Sequence, residues 1–246
     1  RRGYTLSNTL SLTAGNETAT TRISFTDFRT QGLTPGNDLT RQTFNLRGTA
    51  QLGKRLSADA RITYVHHKVK NRPYLSEATK NHGYMLQIIP SSMPLEELEN
   101  NIVDENGNEK VWLSDIYVDN PYWVLENAGN QDVKDRIMSF ASLTYEFNDW
   151  LNLMARTGLD LFNLKTEEWT AQGKRDDPDG SIANSMKKTL EWNSDLMLSG
   201  SRDLSSTLNL SMNLGANYRY NQNESLGQSG SQFNIPYFYH ISNIKT

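Results

Sequence analysis

Apolar and polar residues alternate one by one along much of the chain. In 208–220, Leu208, Leu210, Met212, Leu214, Ala216, Tyr218 and Tyr220 share one face, and Asn209, Ser211, Asn213, Gly215, Asn217 and Arg219 share the other. A period of two is the signature of a strand with one apolar and one polar side. The pattern recurs at 43–52, where Phe44, Leu46, Ala50 and Leu52 oppose Asn45, Arg47, Thr49 and Gln51. It returns at 56–64 and 151–161, and in weaker form at 5–13, 19–28, 135–147 and 188–199. The spacing predicts eight strands of roughly nine to thirteen residues, where an ordinary soluble strand has about five or six.

The connections alternate as well. Tight turns are predicted at Ala14–Thr18, Gly53–Lys54, Asn148–Asp149 and Ser201–Leu204, and longer links at about 30–40, 66–134, 164–187 and after 222. With antiparallel neighbours, all the tight turns fall at one end and all the long loops at the other. That is the layout of an outer-membrane barrel, whose strands need about nine to eleven residues to cross the hydrocarbon. Aromatic residues support it. Tyr145, Phe147 and Trp150 gather near one tight turn, and Phe44, Tyr64, Trp192, Tyr218 and Tyr220 lie towards the other rim. Rings at both membrane–water boundaries are expected of such a wall.

Composition narrows the choice. The 246 residues carry 25 Lys plus Arg against 28 Asp plus Glu, a net charge of −3, which excludes a strongly basic nucleic-acid binder. Only 36% of residues are hydrophobic, yet 10% are aromatic, too many for a disordered chain. No apolar stretch approaches the ~18 residues of a membrane helix. The absence of Cys removes disulfides, thiol nucleophiles and Cys-type zinc sites. Two other architectures share the alternation: a small closed eight-stranded barrel with a structural or adhesive role, and a soluble carbohydrate-binding β-sandwich. Arg47, Arg61 and Arg156 in mid-strand sit awkwardly in the dry core of a sandwich.

Residues 66–134 break the period. Met93-Pro94-Leu95-Glu96-Glu97-Leu98 has the Pro and acidic residues of a helix start, and Asn106-Gly107-Asn108 reads as a turn. Further on, Asn120-Pro121-Tyr122-Trp123 is followed by Arg136, by Ala141-Ser142-Leu143-Thr144-Tyr145-Glu146-Phe147 and by Asp149-Trp150-Leu151. These stretches resemble the SusC/RagA family of TonB-dependent outer-membrane transporters. So do Ser11-Leu12-Thr13-Ala14-Gly15-Asn16, Gln31-Gly32-Leu33 with Arg41, Gly215-Ala216-Asn217-Tyr218, and Ile235-Pro236-Tyr237-Phe238-Tyr239 with Ser242-Asn243. The resemblance spans almost the whole chain in order. Ala14-Gly15 stands where the family usually has two glycines.

The resemblance implies that 1–246 is part of a β-barrel domain of about 22 strands, with the plug domain and remaining strands outside this sequence. Residues 66–134 would form a long extracellular loop within it. It also implies TonB-dependent import of oligosaccharides or peptides across the outer membrane of a Gram-negative bacterium. A SusD-like surface lipoprotein would cover the mouth, the TonB complex would act through the plug, and outer-membrane lipid would surround the wall. Trp112, Tyr117, Tyr122 and Trp123 are candidates for stacking on cargo, or for packing the loop's own core. Tyr237, Phe238 and Tyr239 are candidates for contact with the lipoprotein or with cargo.

Nothing reads as catalytic, so no enzyme, cofactor or metal is expected. His66 and His67 are neighbours in a strand and point to opposite faces. Asp176-Asp177-Pro178-Asp179-Gly180 has clustered carboxylates but lacks the alternate spacing of a calcium loop, and reads as a solvated turn. Glu96, Glu97 and Glu99 read as a helix surface, and no nucleophile elbow, Walker loop or dinucleotide fingerprint occurs.

Overall fold

The computed structural model describes residues 2–110, 112–113 and 118–245. Eight antiparallel strands form one sheet in sequence order: β1 (Tyr4–Gly15), β2 (Ala19–Gln31), β3 (Asp38–Gln51), β4 (Leu56–Lys70), β5 (Ala128–Asn148), β6 (Leu151–Thr170), β7 (Ser181–Ser205) and β8 (Leu208–Ser231). Every neighbouring pair is a hairpin, and β1 and β8 are the two edges. No second sheet packs against this one among the described residues, so neither the small closed barrel nor the sandwich is formed.

The register shows why the alternation is so clean. Across the sheet, Leu12, Ile23, Leu46 and Ile62 stand in one row, then Ser139, Leu159, Trp192 and Tyr220. One pair further along each strand lie Leu10, Phe25, Phe44, Tyr64, Ile137, Leu161 and Leu190. The apolar sides therefore fuse into one band, open to the surroundings: Leu214 is 66% exposed and Leu10 78%. A soluble sheet would cover such a face, whereas lipid covers it in a membrane wall. Within the band, the Trp192 indole N–H donates to Thr157 Oγ1 at 2.7 Å, so its polar edge is satisfied inside the sheet.

The opposite face is polar, and four of its arginines meet carboxylates. Arg47 pairs with Asp59 at 2.8 Å, Arg156 with Asp195 at 2.7 Å, Arg219 with Glu191 at 2.9 Å, and Arg136 with Asp160. Arg61 donates to Asn45 Oδ1 and Thr63 Oγ1, both at 3.3 Å. Each partner comes from an adjacent strand or the next residue on the same face.

The turns carry the geometry of a barrel. Through the register, Gly15 at the β1–β2 turn is level with Asn217, while the β7–β8 turn closes at Leu208. The turn end thus retreats by nine residues over six strands. At about 3.3 Å per residue and about 4.8 Å per strand, that stagger corresponds to a tilt of about 45° when all four turns lie in one plane.

Several boundaries differ from the sequence reading. The strands run from 12 to 25 residues, beyond the predicted nine to thirteen. Residues 66–70 and 128–134 belong to β4 and β5, so the long insertion is confined to 71–127. The last tight turn is at 206–207, because Ser201, Arg202, Asp203 and Ser205 of β7 still pair with β8, with a bulge at Leu204. The reason is common to all three. Past the apolar band neither face meets lipid, so the ladder of backbone hydrogen bonds continues while the alternation that marks it fades.

The wall makes a directional prediction. In the membrane-inserted protein, Leu214→Arg, in the middle of the band on β8, should cost about 2–4 kcal/mol of folding stability. Asn213→Lys, one residue away on the polar face, should cost roughly 0.5 kcal/mol or less. Denaturant midpoints in lipid vesicles measure both, and equal costs would refute the assignment of faces.

Candidate functional site

Among the described residues, the packed interior lies at the loop end. Between β4 and β5 run α1 (His82–Ile88), α2 (Leu95–Asn100) and α3 (Pro121–Asn127), each ended by local chemistry. The Asn81 side chain caps α1 by accepting from the Gly83 and Tyr84 N–H groups. Asn120 caps α3 by accepting from Tyr122 N at 3.0 Å, and Pro121 occupies the first turn. The predicted helix start at 93–98 is α2, with Pro94 as its N-cap and Glu96 and Glu97 in its first turn.

These helices are too short to stand alone and are held by a small core. Trp123, Val124 and Ala171 are each 1% exposed, and Ile102, Ala128 and Tyr239 pack against them. The core joins three chain segments: the insertion, the β6–β7 loop and the stretch following β8. Gly180 shows how tightly the second and third meet. At φ +70, an added Cβ there would lie 2.9 Å from Phe233 Cδ2 and 2.8 Å from Gln172 N.

A buried polar cluster locks the same junction. Asn120 donates to the carbonyls of Leu98 and Asn101 at 3.0 and 3.2 Å, and its N–H donates to Glu109 Oε1 at 2.6 Å. The second oxygen of Glu109 accepts from Arg175 N at 3.3 Å. Lys174, 1% exposed, places its ammonium 2.8 Å from Asp119, which is wholly buried, and also pairs with Asp176. Burial pushes the Glu109 carboxyl up, and the nearby Asp119 adds to the shift. Burial likewise raises Asp119 against the pull of Lys174. Burial alone would lower the Lys174 ammonium, yet Asp119 and Asp176 hold it above its ordinary value.

The aromatic candidates divide. Trp123 is a core residue, and its size, about the largest a side chain offers, fills the junction. Trp112 and Tyr122 are half-buried, and burial beside Glu99 and Glu96 pushes the Tyr122 phenol up. Tyr117 lies outside the described residues. Tyr239 is drawn inward, stacked on Trp169 at 5.8 Å and edge-on to Phe233. Tyr237 and Phe238 remain outside, 67% and 50% exposed, beside Ile235 at 58%.

Asn243 makes that exposed knob rigid, a role the sequence reading did not assign. Its amide donates to the carbonyls of Ile235 and Phe238 at 2.7 and 2.8 Å, and its oxygen accepts from Ile235 N at 3.0 Å. His240 caps the 3₁₀ turn Ile241–Asn243 and stacks on Phe238. Tyr237 is held at φ +60, an unfavourable backbone for a bulky residue. The only local signal was Ser242-Asn243 after an aromatic run.

The remaining candidates resolve as scaffold. His66 turns to the apolar side and bonds Asp135 Oδ1 at 2.8 Å, while pleating sends His67 the other way. Asp176 meets Lys174, Asp177 accepts from Ser181 Oγ at 2.5 Å, and Asp179 accepts from Gln232 at 3.1 Å. The three carboxylates serve three different partners. Between Tyr74, His82 and Asn130 a cavity of about 10 Å³ remains, room for one water at most.

The fold has solved counterparts. The chain is similar to a structure of the RagAB peptide transporter, with a TM-score of 0.75 and 15% identity over 98% of this chain and 27% of that one. It is similar to BauA, the ferric preacinetobactin receptor of Acinetobacter baumannii, with a TM-score of 0.57 and 11% identity over 95% of this chain and 33% of that one. The ferric-catecholate import receptor Fiu of Escherichia coli, in its open form, follows at 0.52 and 10% identity, over 90% of this chain and 33% of that one. The fold is that of a segment of a TonB-dependent-transporter barrel, an open sheet of eight strands. The chain spans about a third or less of the length of these proteins. No family model and no curated protein matches its sequence.

The buried pair predicts a pH response. A carboxyl whose pKa is raised by folding binds its proton more tightly in the folded chain. Its contribution is therefore full at acid pH and declines as pH rises through the raised value. Hydrogen-exchange protection of residues 118–120 and 173–175, corrected for intrinsic rates, should fall as pH rises above the ordinary carboxylate range, because burial raises both Glu109 and Asp119. Lys174→Met should steepen the fall, and identical profiles in the two proteins would show that Lys174 does not set the response.

Proposed function

We propose that the chain is part of the barrel wall of a SusC/RagA-type importer that takes up peptides or oligosaccharides across the outer membrane with a SusD-like surface lipoprotein. The observation that carries this reading is the asymmetry of the wall. One end closes in four tight turns, while the other bears a packed insertion locked to two further loops. A structural or adhesive barrel has no need of a scaffolded mouth; a transporter that must receive cargo there does. The likeness to a RagAB peptide transporter favours peptides among the two cargo classes. On this reading residues 1–246 are part of a TonB-dependent-receptor barrel domain and the insertion is extracellular. Energy would enter through the TonB complex acting on a plug outside this sequence.

Roles at the mouth follow from exposure. Trp112 and Tyr122, with Tyr117 between them in sequence, would line the cargo path, since a half-buried ring keeps one face for stacking. Trp123 would hold that segment in place from beneath. Tyr237 and Phe238 with Ile235 would form the contact with the lipoprotein: rigid, exposed aromatic anchors are the side chains on which interfaces concentrate their energy.

Affinity purification of the full-length protein from outer membranes tests both levels. The expected result is an outer-membrane protein several times larger than 28.0 kDa that brings a surface lipoprotein with it. A protein recovered alone from the soluble fraction would refute the reading. The combined substitution Ile235→Ser, Tyr237→Ser and Phe238→Ser should weaken lipoprotein capture by roughly ten-fold or more, at about 1.4 kcal/mol per decade. Tyr122→Ala should slow uptake of labelled peptide while leaving lipoprotein capture intact.

A further inference from the structure

The polar face of the wall carries surplus positive charge, although the chain as a whole carries −3. Arg22 stands directly opposite Arg47, and Arg47 directly opposite Arg61. Like charges placed in this way oppose folding, and Asp59 bonds only the middle one, Arg47. Further up the wall, Arg41, His67, Lys134, Leu164 and Lys187 stand in one row across five strands. The Arg41 guanidinium lies 4.8 Å from the centre of the Phe28 ring, and the Lys134 ammonium 4.4 Å from that of Phe162. Such contacts hold a cation against the wall without neutralising it.

The carboxylates of this face are engaged elsewhere. Asp59, Asp132, Asp160, Glu168, Glu191 and Asp195 each pair with another Arg or Lys. Glu146 and Asp203, with Glu17 of the first turn, lie at the turn end. Arg22, Arg41, Arg61, Lys134 and Lys187 are left without a carboxylate partner among the described residues. Their heights differ. Counted from the turn ends of their strands, at Ala19, Leu56, Gln51, Asn148 and Ser205, Arg22, Arg61, Arg41, Lys134 and Lys187 stand three, five, ten, fourteen and eighteen residues up. With the turns in one plane and a tilt of about 45°, the steps between them are about 5–12 Å of height. The five cations thus form a rising line from near the turns towards the loop end, not a ring at one level.

A small anion needs one such site, whereas a chain with carboxylates at intervals can meet several at once. A wall of one sign also concentrates solutes of the other sign along its length. We propose that this line selects cargo bearing several carboxylates, so that an importer built on this wall favours acidic peptides or uronic-acid oligosaccharides over their neutral counterparts. The proposal rests on the importer reading given above.

The test uses bacteria that express the full-length protein with its lipoprotein. Four labelled probes are supplied: a Glu-rich peptide, its Gln counterpart of the same length, an oligogalacturonate and a neutral oligosaccharide. The native protein should import the Glu-rich peptide roughly ten-fold faster than the Gln peptide at low salt, with the ratio shrinking as salt rises. The combined change Arg41→Gln, Lys134→Gln and Lys187→Gln should bring that ratio close to one and leave import of the Gln peptide unchanged. The charge-keeping set Arg41→Lys, Lys134→Arg and Lys187→Arg should retain the preference. Heat-dependent gel mobility establishes that each variant is a folded barrel. A preference for oligogalacturonate over the neutral oligosaccharide, with none between the peptides, would uphold the proposal and make sugar acids the source of the carboxylates. An unchanged ratio in the folded Gln variant would overturn it. Loss of all import in that variant, with the plug opened to protease, would assign the cations to carboxylates of the plug and overturn it as well. Equal import of the charged and neutral members of both pairs by the native protein would refute the proposal alone. Import of none of the four would refute the importer reading and the proposal with it, a distinct result.

Discussion

A backbone placed in hydrocarbon has no water to bond, so each amide in the wall must find its partner on a neighbouring strand. The unbroken register from Tyr4↔Gln31 through Ser205↔Leu208 meets that requirement, with irregularities only at Glu146/Asn148 and Asp203/Ser205 beside the turns. Everything else is subordinate to it. Because the ladder permits no slip, every second side chain across the sheet faces the same way, and the apolar residues of separate strands merge into one surface. The same rigidity fixes which Arg meets which Asp on the polar face. The stagger of the turns then converts a flat list of pairings into inclined strands.

The loop end obeys different physics. It has water on its outside, so its helices depend on a core rather than on a solvent that forbids loops. That core is small, and buried polar groups supplement it: Asn120 bridges two helices, and Lys174 neutralises Asp119 where both lie out of water. An ion pair this buried adds little net stability against its desolvation, but removing one partner leaves an uncompensated charge. Its effect is to specify one arrangement of three segments that would otherwise pack in several ways. On that base Asn243 presents Tyr237 and Phe238 outward in a strained but fixed turn.

Much of the wall was legible in the chain itself. Leu208 to Tyr220 showed their faces without any structure, because pleating is local and lipid imposes one criterion on one side. The turn expected at Asn148–Asp149 falls one residue later, at 149–150, and was nearly as plain, since short polar breaks between alternating runs leave few choices. The outer halves of β7 and β8 were not legible, because residues such as Asn184, Gln228 and Ser229 meet similar surroundings on both faces. Nor was the fate of the aromatics. Tyr122 and Trp123 are adjacent in one short helix, and which of them turns inward depends on where the β6–β7 loop lies.

The sequence by itself determined the strand-forming alternation, the end at which the turns fall, and the helix start at Pro94, since each follows from neighbours within a few residues. Only the tertiary structure decided the reach of the strands, the pairing of Arg156 with Asp195 and of Lys174 with Asp119, and the burial of Trp123. Those depend on groups tens of residues apart in sequence, which the ladder and the loop core bring within a few ångströms.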